Sequence, residues 1–257
     1  SCTVSYLDTF INSVDSLRDE GKLTFTPENI FTKVKDPSNV GMCISRIRGE
    51  ALTSLELNNT DSLSVGVNFS RVLSCLSTVP NSSDVEVTWP VTKGSNNLMK
   101  LEVIDDDLEF NIPTLNPSTV PTLSDVDPMT HKNQVKVGGS KLKKTITQAN
   151  VVTGQSSTGV KFTTFDESLE ISSYDKTEGQ FTKRFYNQDP SVDEKFSRES
   201  TNISIEYLDD IKNIFTEGNS VVIHVKEDHP LRFDINLDEA GDAQVIYIIA
   251  PRIESQH

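Results

Sequence analysis

A short amphipathic segment followed by several strand-like runs occurs four times along this chain, and this repetition limits the folds open to it. Apolar residues recur at helical spacing within residues 7–17, 69–79, 142–149 and 208–215. None of these segments exceeds about three to four turns, so each needs a larger partner to be stable. The runs after them have the β-branched and aromatic residues of antiparallel strands. The pattern predicts an α+β fold with two similar halves, each with two helices packed on antiparallel sheets.

A proline-rich stretch separates the two halves. Residues 113–128 contain four prolines, which exclude a regular helix and a central strand. We expect an extended connector there, with Leu115, Val120 and Leu123 as apolar residues that it cannot bury within itself. The predicted domains are therefore residues 1–112 and 130–257, joined by a connecting loop at 113–129. The polar, charged stretch 175–200 fits neither period, so its strands cannot be assigned.

The chain is strongly acidic, with a formal net charge of −14. This charge argues against indiscriminate nucleic-acid binding, because phosphate contacts need clustered Lys and Arg, but a local basic patch remains compatible with it. An acidic surface also suits a halophilic organism, where salt screens the repulsion. The three cysteines have no metal-ligand spacing, and no apolar run is long enough for a membrane span. With no signal-peptide pattern, we expect a cytoplasmic protein.

Candidate catalytic and metal-binding motifs are few. Asp105-Asp106-Asp107 has the carboxylates that hard cations prefer, but its place between two apolar strands favours a turn. Gly138-Gly139-Ser140 lacks the Lys-Ser/Thr of a phosphate-binding loop and indicates a helix start. The histidines lack metal-site spacing, and His224 is expected to face solvent on a strand. We therefore expect no catalytic residues, no metal and no cofactor.

The C-terminus is the most specific signal in the sequence. Residues 245–249 read as a strand, Pro251 should end its ladder, and a short tail with one apolar residue follows. The sequence Ala-Pro-Arg-Ile-Glu-Ser at 250–255 resembles the C-terminus of archaeal sliding clamps of the proliferating cell nuclear antigen (PCNA) family. Segments 36–42, 65–70, 205–210 and 229–231 resemble that family in the same order. One departure is the N-terminus, where only residues 1–4 precede the first helix.

The resemblance implies a function as well as a ring-shaped DNA-clamp fold. It implies a homotrimeric DNA polymerase sliding clamp, a processivity factor for DNA replication and repair that is not an enzyme. Such a ring encircles double-stranded DNA without sequence specificity. It tethers polymerase, flap nuclease and ligase through short peptide motifs, and an ATP-driven clamp loader opens it. The implied source is archaeal, with a haloarchaeon or a virus of haloarchaea as specific candidates, and the location is the cytoplasm of the archaeal or infected host cell.

The polar helix faces are the first surface that the resemblance assigns. Lys141 and Lys144 share a helical side that opposes Leu142 and Ile146, so they should point away from the core. A solvated polar face is the alternative explanation for such residues. In a clamp these faces would line the hole and meet the phosphate backbone. The implied DNA-facing residues are Arg18, Arg71, Lys141, Lys143, Lys144 and Lys212.

Two further surfaces follow from the resemblance. The first is an apolar groove that receives a helical plug from partner enzymes and pairs with the C-terminal tail. Its implied residues are Val40, Leu115, Val120, Leu123, Pro230, Ala250, Pro251, Arg252 and Ile253. The second is a subunit interface between edge strands of neighbouring chains. Its implied residues are Leu108, Phe110, Ile112, Leu169 and Ile171.

Two alternatives stay open from the sequence. A viral or paralogous clamp that works in a heterotrimer, or competes for host partners, would have the same fold. A metal-dependent phosphoryl-transfer enzyme that uses residues 105–107 would belong to a different class.

Overall fold

The computed structural model describes residues 1–57, 61–93, 96–121, 123, 131–153, 159–186, 196–238 and 240–252. Its helices are α1 (Val4–Asp15), α2 (Phe69–Leu76), α3 (Gly139–Thr153) and α4 (Ile205–Ile211). The strands of the first half are β1 (Cys2–Thr3), β2 (Glu20–Phe25), β3 (Asn29–Lys35), β4 (Gly41–Arg48), β5 (Leu63–Asn68), β6 (Asp84–Lys93), β7 (Asn96–Val103) and β8 (Leu108–Pro113). Those of the second half are β9 (Asn133–Gly138), β10 (Gly159–Phe165), β11 (Ser168–Asp175), β12 (Gly179–Tyr186), β13 (Ser200–Ser204), β14 (Ser220–Val225), β15 (Leu231–Asn236) and β16 (Ala243–Ile249). Short 3-10 turns lie at Gly49–Ala51 and Lys212–Ile214.

One unit of secondary structure accounts for this order. Each helix is preceded by one strand and followed by three, so the unit strand–helix–three strands occurs four times among the described elements. The four predicted helices are all present. The strand before each helix was not predicted as such, and β1 is only two residues long.

The chain divides into two compact units. The first comprises Ser1–Pro37, Cys43–Asp125 and Ala240–Val245, and the second comprises Ser38–Met42, Val126–Glu239 and Ile246–His257. Two short segments therefore belong to the unit formed mainly by the other half of the sequence: Ser38–Met42 to the second unit and Ala240–Val245 to the first. The predicted boundaries at 1–112, 113–129 and 130–257 remain a prediction. Residues 122 and 124–130, which include the end of the predicted connector, lie outside the described part of the chain.

The first unit pairs its strands in two antiparallel groups. One has the order β1-β6-β7-β8, and the other has the order β5-β2-β3-β4. Helices α1 and α2 pack beside each other, and they bury Phe10, Ile11, Phe69 and Val72 almost completely. Asn68 begins α2, because its side-chain oxygen accepts the backbone N–H of Arg71 at 2.8 Å.

The second unit repeats the same arrangement. Its strand orders are β13-β10-β11-β12 and β9-β14-β15-β16, and α3 packs against α4 and against β11 and β12. The core contains an aromatic cluster in which Phe233 lies 6.0 Å from Phe162 and 5.8 Å from Phe215, between ring centroids. All three rings are fully buried. Helix α3 begins at Gly139, as predicted, where a Cβ atom would lie 1.9 Å from the side-chain oxygen of Asn219.

Candidate nucleic-acid face and partner-binding groove

Helix α3 carries the densest group of cations on any described helix. Lys141 and Lys144 are exposed and Lys143 is half-buried, while Leu142 and Ile146 on the opposite side are fully buried. Within the described residues none of the three lysines takes part in an ion pair. Their ammonium groups are therefore available to an anionic partner from solvent.

The other three predicted DNA-facing cations have different surroundings. Arg71 is exposed in the first turn of α2. Arg18 follows α1, is half-buried, and donates from its guanidinium to the Lys35 carbonyl at 3.3 Å. Lys212 lies in the 3-10 turn after α4 and forms an ion pair with Asp209 at 2.5 Å. Arg18 and Lys212 are thus partly engaged within the protein, which leaves α3 as the main cationic helix.

Acidic residues on the neighbouring helix oppose this charge. Asp209 also accepts a hydrogen bond from the Asn150 amide of α3 at 3.1 Å. Burial raises the pKa of the Asp210 carboxyl above its usual value, and the nearby charges of Asp209 and Glu206 raise it further. The helix face of the second unit is therefore cationic along α3 and anionic along α4.

The C-terminal tail is held by backbone hydrogen bonds within the second unit. Ala250 donates its N–H to the Val40 carbonyl at 2.8 Å, and Arg252 donates to the Asn202 carbonyl at 2.8 Å. Gly159 allows this approach, because a Cβ atom there would lie 2.9 Å from Cδ of Arg252. Val40 and residues 250–252 are all half-buried, so each keeps surface open to a partner. Ile253 lies outside the described residues.

Strand β13 joins this tail to the turn before β15. Thr201 donates its hydroxyl to the His229 carbonyl at 3.3 Å, while the next residue, Asn202, accepts from the tail. Pro230 follows His229 and is half-buried. The structure thus brings together Val40, Pro230 and the tail, and their role in a partner groove stays a prediction. Sequence reasoning missed Thr201 and Asn202, although the β-branched Thr201 and Ile203 alternate with polar neighbours, which is a weak strand signal.

Three histidines cluster beside this turn. The ring centroid of His131 lies 5.8 Å from that of His229 and 6.4 Å from that of His224. His131 is 3% exposed, and neither of its ring nitrogens has a hydrogen-bond partner among the described residues. Burial is the largest cause of a lowered pKa for His131. Electrostatic interaction with His224, His229 and Lys226 lowers this pKa further, while the Pro230 backbone raises it. The neutral imidazole is therefore the form that the fold favours.

The expectation that His224 faces solvent is wrong. His224 is 6% exposed, and its Nε2 lies 3.1 Å from a carboxylate oxygen of Asp234 on β15. Burial alone would raise the pKa of Asp234, but hydrogen bonds from His224 and Arg232 outweigh it, so the net pKa is lowered. His224 is thus a packed side chain whose Nε2 has a partner across the sheet, while its buried Nδ1 has none among the described residues.

The predicted connector residues lie in the first unit. Leu115 donates its N–H to the Gly66 carbonyl at 2.8 Å, and Gly66 permits this contact because a Cβ atom would lie 2.7 Å from the Leu115 oxygen. Leu115 and Leu123 are half-buried. Val120 is 7% exposed, so its assignment as an open groove wall is wrong: neighbouring parts of the chain cover it.

The free sheet edges differ in part from those expected. β8 pairs on one side only and carries Leu108 and Phe110, both half-buried, together with buried Ile112. Leu169 and Ile171 lie on β11, which pairs with both β10 and β12, and both side chains are fully buried. They cannot form a free edge, so their assignment to an edge strand is wrong, and the strands at the edges of this sheet are β12 and β13. Phe181 on β12 is half-buried and Tyr186 is 66% exposed.

The acidic tripeptide 105–107 forms the predicted turn. It joins β7 to β8 with all three side chains exposed, and Asp107 adopts a φ of 46°, which Asp tolerates better than most residues. In the described part of the chain, no group of three His, Cys, Asp or Glu side chains is arranged to hold a metal ion. No helix there is both long enough and apolar enough to cross a membrane.

Comparison with known proteins gives consistent matches along the whole chain, although no profile of a known protein family matches it. The DNA polymerase sliding clamp of Methanospirillum hungatei is 24% identical over 251 residues, covering 96% of both chains. That of Haloarcula marismortui is 24% identical over 250 residues, covering 97% of this chain and 96% of the relative. The structure of A. fulgidus PCNA bound to the C-terminal region of FEN-1 matches with a TM-score of 0.85 at 20% identity, covering 99% of this chain and 98% of that one. Thermococcus kodakaraensis PCNA matches with a TM-score of 0.80 at 18% identity, covering 97% of each chain. These likenesses confirm the predicted α+β clamp fold.

Proposed function

We infer that this chain is a PCNA-type DNA polymerase sliding clamp, as its sequence resemblance indicated. The observation that carries this conclusion is the end-to-end match to relatives of that name, which covers nearly all of both chains. The fourfold strand–helix–three-strand unit agrees with it. The clamp supports DNA replication and repair as a non-catalytic processivity factor, and it works in the cytoplasm of an archaeal or infected host cell.

The clamp encircles double-stranded DNA and contacts it without reading sequence. The exposed lysines of α3 support this role, because point charges on a helix face attract phosphates, and phosphate contacts carry no sequence information. The free cations are few, so encirclement rather than affinity keeps the ring on DNA. Arg18, Arg71, Lys143 and Lys212 supplement Lys141 and Lys144.

Partner enzymes bind through short peptides at the groove formed by Val40, Pro230 and residues 250–252. In one matched structure the C-terminal region of FEN-1 is bound to the A. fulgidus protein. In this chain the half-buried tail and turn supply apolar surface, and the tail backbone is positioned by β13. The resemblance also assigns Leu115, Leu123 and Ile253 to partner binding. Polymerase, flap nuclease, ligase and clamp loader are the proposed users.

The ring is a homotrimer closed by head-to-tail pairing of β8 with the β12 edge of the next chain. Both strands end their sheets and carry half-buried aromatic side chains, Phe110 and Phe181. A heterologous contact of this kind closes when the rotation between copies permits it. An ATP-driven loader opens the ring. The net charge of −14 suits a halophilic cell.

Primed circular DNA, polymerase and clamp loader provide the test of this function. Adding the clamp should lengthen the products made per binding event, and omitting the loader should remove the effect. Unchanged product length with an active loader and polymerase would refute the proposed function.

A further inference from the structure

The first unit contains a cavity of about 320 Å³. Its walls come from α1, α2 and strands of both sheets, and they include Phe10, Ile47 and Met99, none of which is more than 1% exposed. Protein interiors are close-packed, with few voids larger than a water molecule. An apolar cavity of roughly 150 Å³ already accepts benzene, and small-molecule pockets begin at roughly 300 Å³. The space is therefore large enough for a ligand.

The segment 52–57 forms one side of this cavity. Leu52, Leu55 and Leu57 all line it, yet each is only half-buried. Three leucines that face a cavity without being covered leave apolar surface in contact with water. An apolar occupant would cover them, so the occupant's body should be hydrocarbon or aromatic.

Polar groups at the cavity restrict the rest of the ligand. Trp89 lines it, but its indole Nε1 has almost no accessible surface, so an occupant contacts other atoms of this side chain. The exposed residues at the lining include two carboxylates, Glu56 and Glu86. They disfavour an anionic head group.

We propose that this cavity is a binding site for a small amphiphile with an apolar body and a cationic head group. The body fills the space between the sheets and covers the leucines of segment 52–57. The cationic head lies near the two carboxylates, and this site is separate from the DNA-facing lysines and from the peptide groove.

Trp89 reports on this site directly, because it is the single tryptophan of the chain. Decan-1-ol, decylamine and decanoate share one chain length and differ in head group, so they separate the head-group preference from apolar binding. Each is titrated at neutral pH below its solubility limit or micellar concentration, with tryptophan fluorescence and melting temperature as readouts. Decylamine and decan-1-ol should give a saturable fluorescence change and raise the melting temperature, with decylamine binding more tightly, while decanoate should bind several-fold more weakly than either.

Two matched substitutions place the binding in the cavity. Val87→Phe adds volume at the lining and should abolish the saturable change, while Val151→Phe adds the same volume at a position on α3 that is 77% exposed and should leave it intact. If Val87→Phe does not fold, Leu57→Phe takes its place. Absence of saturable binding by all three compounds, or equal binding by the filled variant, would overturn the site. Strongest binding by decanoate would overturn the head-group assignment.

Discussion

The salt dependence of DNA binding should follow the lysines of α3. Lys141 and Lys144 are exposed, share one helix side and have no ion-pair partner in the described residues. We predict that the double substitution Lys141→Ala and Lys144→Ala weakens binding to duplex DNA at low salt and flattens its salt dependence. The physical reason is that each neutralised phosphate releases counterions, so each lost contact removes part of the salt slope.

The magnitude follows from the number of contacts. Each contact contributes about 0.9 to the slope of log K against log salt, so two lost contacts on one subunit lower the slope by roughly 1.8. Between about 50 and 200 mM salt this corresponds to about one order of magnitude in affinity. If the duplex touches α3 of three subunits at once, the slope falls by up to roughly 5.4.

Fluorescence anisotropy of a short labelled duplex, measured across that salt range, gives the slope. Lys161→Ala with Lys176→Ala is the matched control, because both lysines are exposed on the sheet side of the same unit and the net charge change is identical. The control should keep the wild-type slope. Equal slopes for the α3 variant and the wild type would refute the assignment of these lysines to DNA, and an equal loss in the control would mean that net charge alone matters.

The remaining predictions concern the groove, the ring and the histidine cluster. Val40→Ala should weaken binding of a FEN-1 C-terminal peptide by about 1 kcal/mol or more, since it removes apolar surface from a recognition groove. Calorimetry measures the affinity, and Val151→Ala at an exposed position is the control. Unchanged affinity for Val40→Ala would contradict the groove. Phe110→Asp should convert a trimer mass to a monomer mass in light scattering without loss of folded structure, and a persistent trimer would exclude β8 from the interface. Burial holds the pKa of His131 below its ordinary 6.5, so the unfolded state binds more protons, and this contribution to stability is complete above pH 6.5 and is lost as the pH falls through the lowered pKa. Denaturant unfolding at a series of pH values should therefore show a loss on acidification that His131→Leu reduces, and identical pH profiles would contradict it.

The helices could be predicted from the sequence because their burial is one-sided. Phe10, Ile11 and Val14 of α1 are fully buried at helical spacing, and the helical period needs no information from elsewhere in the chain. The C-terminal strand, and its end before Pro251, could be predicted from the sequence in the same way. For these elements the local pattern and the tertiary environment agree.

For β12, which was not predicted, the local sequence pattern does not indicate the structure that forms. β12 has exposed residues on both of its faces, so no alternation marks it, and polar edge strands are a common protection against aggregation. Because the sequence pattern did not indicate β12, β11 was predicted to be the edge of its sheet. Leu169 and Ile171 were therefore placed at the subunit interface. Strand pairing depends on contacts between residues far apart in the sequence, and the local pattern of a single sequence does not show which strands pair.

Two burial errors have the same origin. Val120 looked exposed because its own segment is too short and too rich in proline to bury it, yet it is 7% exposed in the folded chain. His224 alternates with Val221 and Ile223, which predicts the solvent side of β14, but Asp234 and His131 from other elements enclose it. The proximity of Val40, Pro230 and the tail was predicted from short motifs rather than from burial, and the structure agrees with that proximity.

Retention on DNA of different topology tests the central claim most directly. The clamp is loaded on nicked circular DNA, free protein is removed by gel filtration, and the DNA is then cut once with a restriction enzyme. A ring that encircles DNA should remain on the intact circle through gel filtration at high salt and should leave after linearisation by sliding off the ends. Equal retention on circular and linear DNA, or loss from both at high salt, would contradict a sliding clamp.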